Sequence, residues 1–213
     1  MNLLIVAATK EEVRPFAEFL CSKPYPVDIL ISGVGMMSTA FALGTRLAEK
    51  KYDAILNVGI GGSFDKNLVL GSLVRIKSDI ISELGAEDGN NFLSVDQLGF
   101  GKSLFQENAK VFLSLPTVAQ LKSVKSITVN QVHGAEASIR KIIERLNPEV
   151  ENMEGAACFY AALQLNIYSL QVRSISNYVE KRNRSSWQTE LAIGNLNEWI
   201  KRFTIELFSR SGA

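Results

Sequence analysis

The residues best suited to chemistry are two carboxylates and one carboxamide that lie far apart along the chain. Glu154 opens a segment rich in small residues, Asn177 follows a late apolar run, and Glu12 follows the first apolar run. A carboxylate can bind two neighbouring sugar hydroxyls or deprotonate a water molecule, and an amide offers both a donor and an acceptor. These residue types could bind a hydroxyl-bearing ligand and activate water.

Each of the three residues also has an ordinary structural interpretation. Carboxylates in the first turn of a helix complement its dipole, and this is the favoured interpretation for Glu11. Glu12, directly before Val13, is the residue that we predict to point into the site. Glu154 could simply begin a helix, and Asn177 could cap a turn.

Two glycine-bearing segments each follow a predicted strand, at Gly33–Gly35 and Gly59–Gly62. Glycine lets a ligand approach the backbone amides closely. Neither segment has the glycine spacing of a dinucleotide-binding fingerprint, and the chain has no Walker lysine. A tight turn is as good an interpretation of the first segment as a binding role.

The elements that must position these residues are predicted to be alternating strands and helices. The runs Leu3–Ala8, Val27–Ile31 and Ala54–Val58 are continuously apolar, which is typical of strands covered on both faces. We therefore expect an α/β fold with three αβα layers around a central, mostly parallel mixed sheet. Ligands bind at the carboxyl ends of such strands, and this edge would bring together Glu12, Gly33–Gly35, Gly59–Gly62 and Asn177.

The rest of the pattern predicts one domain over residues 1–213. Ser82–Phe105 is the longest irregular stretch, and a short helix is expected over Leu104–Leu113. The chain ends in a long amphipathic helix that Ser185–Gln188 opens with capping-box spacing.

Composition excludes several classes of partner. The 213 residues are 46% hydrophobic and 21% charged, with a net charge of +1, so neither a nucleic acid nor a membrane partner is expected. The first apolar run lacks a preceding basic region and is too short to be a span, which favours a cytoplasmic protein. Cys21 and Cys158 have neither metal-ligand nor redox spacing.

Taken in order, the motifs resemble those of the purine nucleoside phosphorylase and nucleosidase superfamily over nearly the whole chain, and within it those of the futalosine hydrolases. Each motif alone is weak, and their order and spacing carry the likeness. They are Glu12 after the first strand, Ser32-Gly33-Val34-Gly35, Asn57-Val58-Gly59-Ile60-Gly61-Gly62, Leu84-Gly85-Ala86-Glu87-Asp88, Asp96-Gln97-Leu98-Gly99-Phe100, Asn152-Met153-Glu154-Gly155, and Arg173-Ser174-Ile175-Ser176-Asn177-Tyr178-Val179 with Arg182, Arg184 and Trp187.

The resemblance implies hydrolysis of an N-ribosidic bond through an oxocarbenium-like transition state. Glu12 would activate water, and Glu154 would bind the ribose hydroxyls. In the adenine-releasing nucleosidases that the chain resembles, an Asp stands at the position that matches Asn177. The Asn177 amide instead suits a 6-oxopurine such as hypoxanthine. The remaining substrate contacts that the resemblance implies are Gly59, Ile60, Gly61, Val132, His133, Asn152, Met153 and Ser176.

Futalosine carries a carboxylate on its 5′ substituent, and Arg173, Arg182 or Arg184 is expected to anchor it. The lone His133 is expected to form a pocket wall. No metal or organic cofactor is expected, and the resemblance implies a homo-oligomer, either a dimer or larger. A 6-oxopurine nucleoside phosphorylase, a methylthioadenosine/S-adenosylhomocysteine nucleosidase and a non-catalytic nucleoside-binding module remain alternatives; the phosphorylase would need early arginines such as Arg14 or Arg75.

Overall fold

The structure is a computed structural model that describes residues 1–23, 25–89 and 91–209. Strands and helices alternate through most of this range. They are β1 (Leu3–Ala7), α1 (Lys10–Cys21), β2 (Val27–Ile31), α2 (Met36–Glu49), β3 (Ala54–Ser63), β4 (Leu73–Ile81), β5 (Gly85–Asp88), β6 (Asn91–Ser94), β7 (Leu104–Gln106), α3 (Pro116–Ala119), β8 (Lys122–Thr128), α4 (Glu136–Leu146), β9 (Val150–Asn152), α5 (Gly155–Leu165), β10 (Tyr168–Tyr178) and α6 (Thr189–Ser209).

The large sheet is mixed and mostly parallel. β1 lies between β2 and β3, and β3 also pairs with β10, all in parallel. β4 pairs with β8 and β8 with β9 in parallel, whereas β4 runs antiparallel to β10 and β7. Because β9 also pairs with the end of β3, the strands β3, β10, β4, β8 and β9 close into a ring.

The core explains why the first strand is continuously apolar. Leu3 and Ile5 face a cluster that includes Phe16 of α1 and Trp199 of α6. Leu4 packs on the other side, with residues of α2 and α5. Helices therefore cover both faces of the sheet, and the predicted three-layer α/β fold with a mostly parallel mixed sheet is confirmed.

The helix predicted over Leu104–Leu113 is wrong. Leu104–Gln106 forms the strand β7, which pairs with β4 and buries Phe105, and turns follow it. Pro116 begins the next helix, α3. The irregular stretch Ser82–Phe105 contains the β5–β6 hairpin. β7 forms because it pairs with β4, which is distant in sequence, and local periodicity does not predict such pairing.

The last helix, α6, begins at Thr189, after a short 3-10 turn over Arg184–Ser186. It packs on α1 through its buried apolar face, and Trp199 stacks on Phe203 with ring centroids 5.1 Å apart. No helix in the described part of the chain is long and apolar enough to cross a membrane.

Candidate active site

A cavity of about 1070 Å³ opens beside the carboxyl ends of β1, β3 and β10. Twelve of the thirteen predicted site residues line it, and Gly59 lies behind them. The twelve are Glu12, Ile60, Gly61, Val132, His133, Asn152, Met153, Glu154, Ser176, Asn177, Arg182 and Arg184.

Glu12 is held by both its neighbouring loop and the central strand. It is 7% exposed and lies in the first turn of α1, where it forms a capping box with Thr9. Its Oε2 accepts from the Thr9 backbone N–H at 3.0 Å, and its Oε1 accepts from the Ile60 N–H at 3.2 Å. The carboxylate is therefore fixed at the cavity wall with unused lone pairs for a further donor such as water.

Glu154 is the second buried carboxylate of the cavity, with 5% exposure. It precedes α5, its Oε1 accepts from the Gly35 N–H at 3.1 Å, and its Oε2 pairs with Arg173 Nη1 at 3.4 Å. The arginine in turn donates to Asn57 at 2.6 Å and to Asn152 at 3.1 Å. This buried network orients Glu154 and compensates its charge.

The absence of a side chain at Gly59 lets these two acidic groups approach the same point. A Cβ there would collide with Arg173 Nη1 and would lie 2.9 Å from Glu12 Oε1. Glycine at this position is therefore a packing requirement, and it places Glu12 beside the ion pair of Glu154.

Asn177 lines the same cavity at the point where β10 bulges. The register with β3 shifts between Ile175 and Asn177, so Ser176 is the extra residue of the bulge. The Asn177 Oδ1 accepts from Ser176 Oγ at 2.8 Å, and its Nδ2 donates to the Tyr178 carbonyl at 3.0 Å. One amide N–H and one lone pair stay available on the cavity side.

Comparisons with known proteins show the family of this chain. A family model described as the phosphorylase superfamily matches residues 2–207. The chain belongs to the phosphorylase superfamily. Two curated futalosine hydrolases are similar to this phosphorylase-superfamily chain. That of Streptomyces coelicolor is 32% identical over 179 residues, which cover 81% of this chain and 76% of the relative. That of Thermus thermophilus is 25% identical over 181 residues, which cover 83% and 80%.

Solved structures have the same fold as this superfamily member. Native futalosine hydrolase of Helicobacter pylori superposes with a TM-score of 0.83 at 14% identity, covering 96% of this chain and 97% of that one. A methylthioadenosine/S-adenosylhomocysteine nucleosidase of Colwellia psychrerythraea, solved with adenine, gives a TM-score of 0.79 at 21% identity, covering 97% and 96%.

In this phosphorylase-superfamily protein the first turn of α1, which carries Glu12, is also fixed by the last helix. Asn197 of α6 is 1% exposed, and its amide accepts from the Phe16 N–H at 3.0 Å and donates to the Glu12 carbonyl at 2.9 Å. Pro15, inside the same helix, has no N–H to donate. Asn197 thus holds the backbone turn that carries Glu12.

Beneath Glu154 lies a fully buried polar cluster around Asp79. The Asp79 carboxylate accepts from Thr128 at 2.8 Å, from Asn152 at 2.8 Å and from Gln171 at 3.0 Å. Burial raises the pKa of Asp79 to about 6, against the opposing effect of the hydrogen bonds from Asn152 and Thr128. A Cβ on Gly155 would collide with both Asp79 and Gln171, so close packing requires glycine there.

The cavity also contains a pair that motif reasoning missed. Glu151 of β9 is 4% exposed, lines the cavity and pairs with His133 through Nδ1 at 2.7 Å. Glu151 directly precedes the Asn152–Gly155 motif and was not counted as part of it. Asn57, Arg173 and Gln171 were detectable as partnered groups, because a polar residue within a buried apolar strand needs a hydrogen-bond partner.

The structure separates the three arginines that were candidates for a substrate anchor. Arg173 is 1% exposed, does not line the cavity, pairs with Glu154 and donates to Asn57, so its prediction as an anchor is wrong. Arg182 and Arg184 are exposed at the cavity mouth, and the Arg182 guanidinium lies 5.4 Å from the Trp187 ring centroid.

Proposed function

We propose that this protein hydrolyses the N-ribosidic bond of futalosine and releases hypoxanthine and dehypoxanthine futalosine, a step of menaquinone biosynthesis. The observation that carries the proposal is the convergence of Glu12, Glu154 and Asn177 on one cavity. The two futalosine hydrolases that resemble the chain support this choice of substrate.

Glu12 acts as the general base of the proposed reaction. Water attacks the anomeric carbon and loses its proton to the Glu12 carboxylate, while the electrons of the glycosidic bond leave with the base, which takes up a proton from solvent water. The Ile60 and Thr9 donors hold the carboxylate, so it needs little rearrangement to meet the water.

Glu154 binds the ribose hydroxyls. A buried carboxylate positioned to accept from two hydroxyl groups discriminates strongly against sugars that lack them, because its acceptors are then left unpaired. Its negative charge also favours the positive charge that develops on the sugar in the transition state.

Hydrolysis is favoured over phosphorolysis by the surroundings of the first glycine segment. The Gly35 N–H, which could bind an anion, already donates to Glu154. Neither Arg14 nor Arg75 lines the cavity, and Arg75 pairs with Glu107 at 3.4 Å. A phosphate dianion beside Glu154 would meet a like charge.

The 5′ substituent of futalosine lies, in this proposal, toward the cavity mouth, where Arg182 or Arg184 binds its carboxylate. Each arginine is replaced with alanine in turn, and loss of the one that binds the carboxylate should raise the KM for futalosine about 10-fold, as expected for loss of a charge-assisted hydrogen bond. The KM for inosine, which lacks the carboxylate, should change far less. Equal effects on both substrates would assign the arginines another role.

The proposal as a whole is tested by incubating the purified protein with futalosine, inosine and methylthioadenosine, with and without phosphate. Hypoxanthine release from futalosine without phosphate is the expected result. Strict phosphate dependence would instead identify a phosphorylase, preferential adenine release a methylthioadenosine nucleosidase, and binding without turnover a nucleoside-binding module.

We also propose a homo-oligomer that works in the cytoplasm. α2 and α5 expose large apolar side chains, with Met37 84%, Phe41 78% and Leu163 59% exposed, beside a groove of small residues. Apolar patches of this kind are typical of subunit interfaces. The free thiols Cys21 and Cys158 suit a reducing compartment.

Sedimentation velocity tests the assembly. Phe41→Asp should shift a dimer or larger species to monomer, whereas Ile205→Asp, at a 43% exposed position of α6, should leave the sedimentation coefficient unchanged. A monomeric wild type would refute this part of the proposal.

A further inference from the structure

Glu151 is a buried carboxylate whose acceptor capacity is only partly used. Its Oε2 accepts from the ring Nδ1 of His133 at 2.7 Å and its Oε1 from the His133 backbone N–H at 3.3 Å, and that N–H also lies 3.4 Å from Oε2. Because an ionised carboxylate only accepts, the ring nitrogen that faces it must carry the proton. Oε1 retains a lone pair for one more donor.

The sheet places Glu151 next to Asn177. Gly62 of β3 pairs with Glu151 on one side and with Asn177 on the other, and side chains of directly paired residues emerge on the same face. The point where a Gly62 Cβ would stand lies 3.3 Å from Asn177 Nδ2 and 3.5 Å from Glu151 Cγ, with Val179 Cγ2 at 3.0 Å as an apolar neighbour. An acceptor-only group and a donor–acceptor amide therefore lie side by side in the cavity.

This pair matches one edge of a 6-oxopurine. Such a base donates from its ring N1–H and accepts at O6, whereas adenine accepts at N1 and donates from its 6-amino group. A buried carboxylate forms a charge-assisted hydrogen bond with N1–H and repels the N1 lone pair of adenine. The amide of Asn177 can serve either purine, so it cannot by itself account for such a preference.

We propose that Glu151 determines base specificity by accepting the N1–H of a 6-oxopurine, and that His133 is a positioning residue that fixes the carboxylate. This inference rests on the proposed nucleosidase function and names the group that reads the base. The His133 ring is itself held against Phe64, with centroids 6.1 Å apart at 64°. Both donors of His133 point at Glu151, so its loss should loosen the carboxylate without removing it.

The experiment measures kcat/KM for inosine, for adenosine and for p-nitrophenyl riboside, which has no purine edge. Glu151→Gln, whose amide can donate to adenine N1, should lower the ratio of inosine to adenosine cleavage about 100-fold or more. Cleavage of p-nitrophenyl riboside should stay within about threefold of wild type, because Glu12 and Glu154 are unaltered. His133→Gln should give a smaller change of the same sign, mainly in the KM for inosine.

Glu83→Gln is the matched control. Glu83 is an exposed carboxylate that lines the same cavity and holds the same segment through Asn130, at 3.1 Å to its side chain. If Glu151 acts only by supporting this segment, all three substrates should lose activity equally, and Glu83→Gln should resemble Glu151→Gln. That outcome, or an unchanged base preference in Glu151→Gln, overturns the proposal.

Calorimetric binding of free hypoxanthine and free adenine separates this inference from the proposed reaction and does not require turnover. A wild type that prefers hypoxanthine, with the preference lost in Glu151→Gln, supports the specificity role even if no nucleoside is cleaved. A wild type that hydrolyses nucleosides but has the same base preference as Glu151→Gln retains the proposed function and refutes the role of Glu151.

Discussion

Replacing Glu12 with glutamine tests the centre of the proposed chemistry. The substitution keeps the shape of the side chain and removes the ability to take a proton from water. General-base catalysis contributes about 10²- to 10⁴-fold, so kcat should fall by that factor while KM stays within a few-fold. Substrate binding should persist because Glu154 and Asn177 are unaltered.

The hydrogen bonds of Glu12 set the expected effect on folding. Glutamine can keep an oxygen toward Thr9, since the capping box accepts Gln as well as Glu. Its NH2 group then faces the Ile60 N–H, which loses its acceptor at 3.2 Å. One buried donor left unsatisfied costs about 1–3 kcal/mol, so the free energy of unfolding should drop by that amount.

The assay follows hypoxanthine release at saturating substrate, with the unfolding free energy of each variant measured in parallel. Glu11→Gln is the matched control, because Glu11 also lines the cavity but is exposed and has no contact with β3 among the hydrogen bonds of the described residues. Its kcat should remain within about threefold of wild type. A Glu12→Gln enzyme that retains more than a tenth of the wild-type kcat would refute the role of Glu12.

Three further predictions concern the base, the buried carboxyl and the packing under the site. Asn177→Asp should lower hypoxanthine release relative to adenine release from matched nucleosides by about 10- to 100-fold, and an unchanged ratio would assign base recognition elsewhere. The raised pKa of Asp79 means that the folded protein disfavours ionisation of this carboxyl. The neutral carboxyl therefore contributes its full stabilisation below the ordinary pKa of 3.8, and this contribution is lost as the pH rises through about 6. The unfolding free energy of wild type relative to Asp79→Asn, from denaturant titrations, should therefore fall by about 3 kcal/mol between acidic and neutral pH, and a flat or rising difference would contradict this. Gly155→Ala should destabilise the protein by about 1–3 kcal/mol in thermal unfolding because its methyl group meets Asp79 and Gln171. Gly194→Ala should be neutral or stabilising, because no described residue beyond its own stretch of helix lies within 4 Å of the added methyl group.

Sequence reasoning found the residues that define the fold and much of the cavity lining. The apolar run Leu3–Ala8 predicted a strand buried on both faces, and the rule for carboxyl ends placed Glu12 and Asn177 together. Both inferences use patterns that a chain carries locally, such as periodicity and the order of strands and helices.

What escaped sequence reasoning depends on long-range partners. Arg173 looks like a loop-proximal anchor in the sequence, but its hydrogen bonds to Asn57 and Asn152 place it in the core. β7 was mistaken for a helix because its pairing partner, β4, lies more than 20 residues earlier. Glu151 was overlooked because its significance arises only when Gly62 brings Asn177 alongside it.

The amide of Asn197 joins a helix made early in synthesis to the last helix of the chain. The segment bearing Glu12 leaves the ribosome first, yet the Phe16 N–H and the Glu12 carbonyl meet their buried partner only when α6 has docked. A nascent or C-terminally truncated chain has every group of the proposed reaction but lacks the brace behind its general base. We therefore expect the position of Glu12 to be fixed only once the final helix has docked.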